Sequence, residues 1–240
     1  MSAIQAPPGW GRDSLTSFLD DSRGNCFATY VKLRSEYVKL LEIDGLFSAL
    51  IASLNDTPDW FAALFVQRSH SAYRAACHLG MAGQVVESYA LQRLCLEHAL
   101  YGHYGARDLT LQETWLRRDE SDKARTRVRN TFRMKKLLDS LANASPRLAD
   151  AVSLLYERCI DYGAHPNQQA LLQSTSMQVD EASMELHLGY LLNDPLVLRF
   201  GLRSAAQVGV SSLGVFELVF DERFRLLGLD DQLRRARQGL

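Results

Sequence analysis

An arginine and a histidine, seven residues apart, are the pair of side chains in this sequence best suited to act on a phosphate. Arg158 lies beside the apolar stripe of a predicted helix, and His165 follows two helical turns later. A guanidinium can hold a phosphate through two N–H donors, and a histidine can serve as general base or acid near neutral pH. Both side chains face the same place only if the helix persists, whereas Gly163 and Pro166 favour an earlier stop. The spacing makes Arg158 and His165 candidate catalytic residues.

The same pair also has a structural interpretation without catalysis. At the end of its helix, His165 would interact favourably with the negative end of the helix dipole. Arg158 would then pair with Glu157, with Asp161 or with an acid on another helix. The sequence leaves both interpretations open.

Charged residues within two apolar predicted helices form a second candidate site. Arg93 and Glu97 are four residues apart on a helix that is apolar on nearly every side. Burying two charges is costly unless they pair, so one interpretation is a structural ion pair. On the preceding helix, His70, Arg74 and His78 share one face, which is either solvated or part of the same pocket. We therefore treat Arg74, His78, Arg93 and Glu97 as candidate ligand-binding residues.

A basic stretch runs from Arg117 to Lys136. It contains nine lysines and arginines against three acids, although the whole chain has a formal net charge of -1. Such a stretch can contact the phosphates of RNA, or it can simply be a solvated helix face. The candidate RNA-binding residues are Arg125, Arg127, Arg129 and Arg133.

The segment from Arg158 to His165 resembles the R-x4–6-H motif of the HEPN superfamily of helical domains. Six residues, Cys159 to Ala164, separate the arginine from the histidine here. The phrase Tyr162-Gly163-Ala164-His165-Pro166-Asn167, which follows a central helix carrying Arg93 and Glu97, is also similar to an uncharacterised HEPN-like bacterial domain family. The resemblance covers about residues 60 to 170. Cys159 is a departure, since many active HEPN ribonucleases have a polar residue directly after the arginine.

This resemblance implies a helical bundle that cleaves RNA without a metal and works as a homodimer. The 2′-hydroxyl of RNA would attack the neighbouring phosphorus, with His165 as acid or base and Arg158 stabilising the developing charge. The basic stretch would position the RNA backbone, and dimerisation would bring two Arg158 and His165 pairs to one cleft. No feature points to DNA specifically.

The helices that position these residues are marked by proline and capping signals. Thr57-Pro58, Ser145-Pro146 and Asp194-Pro195 each predict a helix start. Alternating residues favour a small β-hairpin around residues 172–190. We predict an all-α helical bundle forming a single domain over residues 1–240, with a loose N-terminal tail over about residues 1–12. The predicted helices cover residues 26–54, as one helix or a broken one, and 58–79, 84–104, 111–118, 123–141 and 146–162. A last long helix starts at 195, with Gly209 and Gly214 as candidate points of interruption.

Composition narrows the classes of function. A net charge near zero argues against a protein that coats nucleic acid generally. The four cysteines are far apart and suggest buried apolar side chains in a reducing compartment. With no signal peptide and no apolar run of about 18 residues, we expect a cytoplasmic protein without a membrane span. Common nucleotide, metal and nucleophile motifs are absent, so we predict no cofactor and no metal.

The sequence leaves open whether the chain is an enzyme. The leading hypothesis is a HEPN-like protein acting on RNA, as a toxin or defence effector. The alternative is a non-catalytic helical module that binds a protein partner or a small ligand in a polar pocket near Arg93 and Glu97. A third hypothesis, a small-molecule enzyme, requires Arg74, His78, Arg93 and Glu97 to converge in one closed pocket.

Overall fold

The computed structural model describes residues 6–166, 168, 175–180 and 183–240. In these ranges the chain is a bundle of α-helices, as predicted, with one small β-hairpin. None of the described helices combines the length and apolar character that a bilayer crossing requires. The helices are α1 Ser14–Lys32, α2 Arg34–Ala52, α3 Trp60–Ala82, α4 Val85–Ala106, α5 Leu109–Leu116, α6 Asp122–Thr131, α7 Met134–Ala144, α8 Pro146–Cys159, α9 Pro195–Glu217, α10 Asp221–Leu226 and α11 Leu229–Ala236.

Capping residues explain where several helices begin. The Asp13 carboxylate accepts from the Thr16 N–H at 2.8 Å, so α1 starts well before residue 26. Asp194 accepts from Leu196 N–H at 2.7 Å, and Pro195 occupies the first turn of α9, as expected. At Thr57 the prediction was early, because α3 begins only at Trp60.

Two long predicted helices are each divided in the structure. The segment over 26–54 is split at Leu33, where φ is -118° and ψ is 49°. The segment over 123–141 is split at Phe132 and Arg133, between α6 and α7. In contrast, α9 runs through Gly209 and Gly214 without interruption, so neither candidate point of interruption breaks the helix. A side chain at Gly209 would come within 2.7 Å of Ile43 and Tyr73, which shows that this glycine serves close helix packing.

The centre of the bundle is formed by α3, α4 and α9. The longest shared interface joins α3 to α4, and α9 packs against both. A small polar contact lies within it: the Ser69 hydroxyl donates to the Cys95 carbonyl at 3.0 Å, and Cys95 Sγ lies 3.4 Å from Ser212 Oγ. The largest fully buried side chains are Tyr73, Tyr89, Phe47, Phe61, Phe216 and Phe224.

The β-hairpin lies within the segment predicted from alternation. Strands β1 (Thr175–Asp180) and β2 (Ser183–Leu188) pair antiparallel. The register aligns Thr175 with Leu188 and Asp180 with Ser183. Before α1, the described residues 6–13 are exposed and non-helical.

Candidate functional site

A groove of about 340 Å³ opens between α1, α2 and α3. This volume is at the lower end of the range found for small-ligand sites. Most of its wall is apolar or aromatic, and a few polar side chains gather on α2 and α3. The lining residues are Cys26, Tyr37, Leu40, Leu41, Asp44, Tyr73, Arg74, Cys77, His78 and Met81.

An ion-pair network around Asp44 fixes the polar part of this groove. The Asp44 carboxylate accepts two hydrogen bonds from Arg74, from Nε at 2.7 Å and from Nη2 at 2.9 Å. Its Oδ1 also lies 2.6 Å from Nε2 of His70. The bidentate geometry matches the planar fork of a guanidinium to a carboxylate.

Helical spacing explains why these three residues meet. His70 and Arg74 are four apart on α3, so they lie along one face, which packs against α2. The ring of buried His70 stacks on Phe47, with ring centroids 5.1 Å apart and planes 8° apart. Phe47 follows Asp44 by three residues on α2, so one helix supplies both the acceptor and the stacking surface.

The protonation states of the network follow from its surroundings. Hydrogen bonding from Arg74 lowers the pKa of Asp44, with a smaller contribution from His70, although burial opposes it. Burial lowers the pKa of His70, and the nearby Asp44 only partly offsets this. At neutral pH Asp44 is therefore ionised and His70 neutral. Because an ionised carboxylate only accepts hydrogen bonds, Nε2 of His70 carries the proton.

The two cysteines in the groove are protonated thiols. Burial raises the pKa of Cys77 to about 12 and also raises that of Cys26. A thiol that stays protonated is a poor nucleophile, so neither is suited to covalent catalysis. Both cysteines are free, and so are the fully buried Cys95 and Cys159.

Arg93 and Glu97 pair with each other, but on the side of the bundle facing α8. Arg93 Nε donates to Glu97 Oε1 at 2.8 Å, and the Tyr156 hydroxyl donates to the same oxygen at 3.2 Å. The Arg93 guanidinium lies 5.2 Å from the centre of the Tyr156 ring. Arg74 and His78 instead line the groove beside α2, so the four residues do not converge in one pocket as the small-molecule-enzyme hypothesis requires. The polar stripes of α3 and α4 face different neighbouring helices because the two helices pack through their apolar faces.

The helix that carries Arg158 ends before it reaches His165. After Cys159 the backbone forms a π-helical turn over Ile160–Ala164, and His165 is exposed on extended backbone with φ -146° and ψ 140°. Of the two outcomes left open by the sequence, the structure has the early stop favoured by Gly163 and Pro166, so no continuous helix face presents both side chains. Arg158 Nη1 donates to Gln207 Oε1 at 2.5 Å, and its guanidinium lies 5.6 Å from the centre of the Phe200 ring. His165 Nδ1 lies 3.3 Å from the carbonyl oxygen of Pro166.

The four candidate RNA-binding arginines are all exposed on α6 or at the start of α7. Arg125 is paired with Asp119 and Asp122, each at 3.4 Å. Arg133 donates to Asn130 at 2.5 Å. Among the described residues, Arg127 and Arg129 form no ion pair, and Arg127 also lines a polar concavity of about 380 Å³ together with Arg117 and Lys123.

No protein-family model matches the chain, and no curated protein or solved structure is significantly similar to it. The HEPN resemblance stays a prediction from the sequence, carried by the Arg158 to His165 motif and by the segment Tyr162 to Asn167 that follows the helix with Arg93 and Glu97. Within the described ranges, His, Cys, Asp and Glu side chains form no cluster of three or more that could hold a metal ion.

Asp44 is the functional candidate that sequence reasoning did not find. The signal was present, since Asp44 directly follows buried Ile43 and lies beside the core positions Leu40 and Phe47. An acid placed next to an apolar helix stripe requires a partner. What the sequence lacked was the pairing of α2 with α3, which decides that His70 and Arg74 are that partner.

Proposed function

We propose that this chain is a non-catalytic helical module that binds a small ligand in the groove between α1, α2 and α3. The ligand class is a mainly apolar molecule with one hydrogen-bond-accepting end, such as a carboxylate or sulfonate. The observation that carries the proposal is the fixed Asp44 and Arg74 pair in the wall of an apolar groove of about 340 Å³.

Arg74 is suited to orient the accepting end of such a ligand. Its Nε and Nη2 are engaged by Asp44, whereas Nη1 makes no hydrogen bond to any described residue. The side chain is 60% exposed, so Nη1 can be reached from the groove. Because Asp44 fixes the guanidinium, little conformational entropy is lost when Nη1 binds an acceptor.

The remaining wall favours an apolar body. Leu40, Leu41, Met81 and Tyr37 line it, and the two protonated cysteines add small apolar surface. The charges of Asp44 and Arg74 largely cancel, so the groove accommodates one accepting group at Nη1 of Arg74, and a ligand with several charges gains little there. None of the described residues that line the groove is an activated nucleophile, which is why binding rather than catalysis is proposed.

A fluorescent probe of this class, anilinonaphthalene sulfonate, tests the proposal on the purified chain. We expect saturable binding that weakens roughly three- to tenfold in Arg74→Gln, because one charge-assisted hydrogen bond at a partly exposed site is lost. The matched control is Arg234→Gln, which removes another exposed arginine paired with an acid, at 2.7 Å from Asp231. Equal affinity in wild type, Arg74→Gln and Arg234→Gln would contradict the proposal, as would the absence of binding.

The RNA-directed alternative stays a separate prediction, motivated by the exposed Arg127 and Arg129, neither of which forms an ion pair with another described residue. It predicts metal-free cleavage of single-stranded RNA by the wild type, and loss of cleavage in a folded His165→Ala variant. If groove binding is the function, neither the wild type nor His165→Ala cleaves the RNA. Cleavage that depends on His165 would make the chain a ribonuclease and leave the groove with at most an accessory role.

A further inference from the structure

The polar and apolar residues of the groove between α1, α2 and α3 are separated along its length. Arg74 and Met81 both line it and are seven residues apart on α3, so they lie on the same side of the helix, about 10 Å from each other along its axis. Between them, Cys77 is half-buried and His78 is exposed. The line from Arg74 to Met81 therefore gives the groove a direction and a length.

Helix α2 has the same order of residues in the opposite chain direction. Phe47 stacks on His70, and Asp44 binds Arg74, so later residues of α2 meet earlier residues of α3. A residue two turns before Asp44 therefore lies towards the far end of the groove, and the lining residue at this position is Tyr37. One end of the groove holds the ion pair, and the other end is apolar.

The apolar end of the groove is closed. Met81 is only 9% exposed, and directly after it Asn25 on α1 donates to the Ala82 carbonyl at 3.1 Å. At Gly83 the backbone is so close to its neighbours that an added Cβ would lie 2.4 Å from the Leu192 carbonyl oxygen and 3.1 Å from Nδ2 of Asn25. The polar end, in contrast, opens to solvent beside the exposed guanidinium.

We propose that the ligand is a straight-chain monocarboxylate whose carboxylate binds Arg74 and whose alkyl tail extends along α3 to Met81. This inference rests on the proposed ligand-binding function, and it adds the shape of the ligand and the residue that limits its length. Because Nη1 is the part of the Arg74 fork without a described partner, one carboxylate fits the open end. A C–C bond is about 1.5 Å long and an extended zigzag chain advances by less, so roughly eight bonds span the distance to Met81.

Calorimetric titration of the purified chain with hexanoate, octanoate, decanoate and dodecanoate tests the length. Each methylene that the groove buries should tighten binding roughly three- to fourfold. Beyond about eight to ten carbons the tail has reached Met81, so further methylenes stay in water and the affinity should level off. A rise that continues undiminished from decanoate to dodecanoate would overturn the proposal, and so would failure of octanoate to bind.

Met81→Ala tests whether this residue sets the limit. The shorter side chain extends the groove, so the acid at which affinity levels off should shift from decanoate to dodecanoate. The matched control is Met134→Ala, which removes the same atoms from a partly buried methionine of α7, outside the groove, and should keep the wild-type profile. Circular dichroism verifies folding, and an unchanged profile in folded Met81→Ala would overturn the proposal.

Arg74→Gln tests the direction of the ligand. It should weaken binding of every acid by the same factor, roughly three- to tenfold, and leave the limiting length unchanged, because only the carboxylate contact is altered. A loss confined to the longest acids would place the tail at Arg74 and overturn the proposal. Binding of anilinonaphthalene sulfonate that depends on Arg74, without a length limit for the acids, would overturn this inference alone. Absence of binding by the acids and by the sulfonate would overturn the proposed function as well.

Discussion

Asp44 connects two residues of opposite character, the exposed Arg74 and the buried His70. The pairing with Arg74 contributes little to the free energy of unfolding, since an exposed guanidinium is screened by water. The hydrogen bond from His70 matters more, because the His70 side chain is only 7% exposed and its N–H needs an acceptor. The carboxylate thereby fixes both the groove wall and the packing of α2 on α3.

Replacing Asp44 by asparagine should lower the pKa of His70 further. Burial already lowers it, and the negative charge of Asp44 partly offsets that effect. Removing the charge leaves burial and the Arg74 charge unopposed, so a histidine-ring NMR titration should shift to lower pH. Asp139→Asn, which alters an exposed pair with Lys135, serves as control. A rise in the pKa of His70 in Asp44→Asn would contradict this account of the network.

Buried His103 makes the stability of the fold depend on pH. Burial lowers its pKa to about 4, with a smaller contribution from the Arg107 charge. The unfolded chain takes up the proton near pH 6.5, so the stabilisation is complete above that pH and is lost as pH falls towards 4. His70 and His98 act in the same direction, since burial also lowers their pKa values.

The measurement is urea denaturation at pH 7 and pH 4.5 for the wild type and for His103→Gln. The wild type should be less stable at the lower pH, and the variant should lose less stability between the two. Protonation of His103 lowers the free energy of unfolding by at most about 3 kcal/mol between pH 7 and pH 4.5. An equal loss in both proteins would show that His103 does not contribute to the pH dependence.

Residue spacing within one helix predicted which side chains take part in ion pairs, but it did not predict their partners on other helices. The spacing of His70, Arg74 and His78 correctly suggested a shared face, and Arg93 does pair with Glu97. The partners Asp44 and Tyr156 lie 30 and 59 residues away in the chain from Arg74 and Glu97. Such contacts depend on which helices pack together, and local spacing carries no information about that.

Among the elements, the π-helical turn after α8 decides where His165 lies. Gly163 in this turn approaches the backbone of α4 so closely that an added Cβ would lie 2.1 Å from the Val86 carbonyl oxygen. The turn therefore packs backbone against backbone, and α8 cannot continue towards His165. Gly163 and Pro166 favoured an early end of this helix, whereas the contact with Val86 is visible only in the fold.

Substituting Gly163 by alanine should destabilise the protein, because the carbonyl of Val86 cannot move aside as a flexible side chain would. We expect a loss of about 3 kcal/mol, in the upper range of overpacking effects. Gly45→Ala is the matched control in an exposed part of α2, where nothing lies within 4 Å of the added Cβ. That variant should gain roughly 0.5–1 kcal/mol from helix propensity. Equal denaturation midpoints for the two variants would contradict the packing described for the turn.

Helix boundaries were predictable where a capping residue and proline stood together, as at Asp194 and Pro195. They were less predictable where a helix breaks without a glycine or proline, as at Leu33. Gly209 and Gly214 of α9 had the opposite effect, since they suggested a break, whereas α9 continues through both and Gly209 permits close packing against Ile43 and Tyr73. A glycine within a predicted helix can mark either the end of the helix or a close contact with another helix, and only the packing of the neighbouring helices decides between the two.

At the scale of the whole molecule, the bundle separates three surfaces. The groove lies between α1, α2 and α3, the Arg158 contacts lie between α8 and α9, and the basic residues lie on α6 and α7. The all-α class was predictable from helical periodicity and composition. The surface on which a given charged residue lies was not predictable, because it depends on which helices pack against each other.

The most direct measurement is an NMR titration of the isotope-labelled chain with anilinonaphthalene sulfonate. The groove assignment predicts that the largest shifts occur at the side-chain N–H of Arg74 and at the backbone amides of Cys26, Leu41 and Met81, all of which line the groove. Shifts concentrated instead around Arg158 and Gln207, with the groove signals unchanged, would contradict it and place the binding site between α8 and α9.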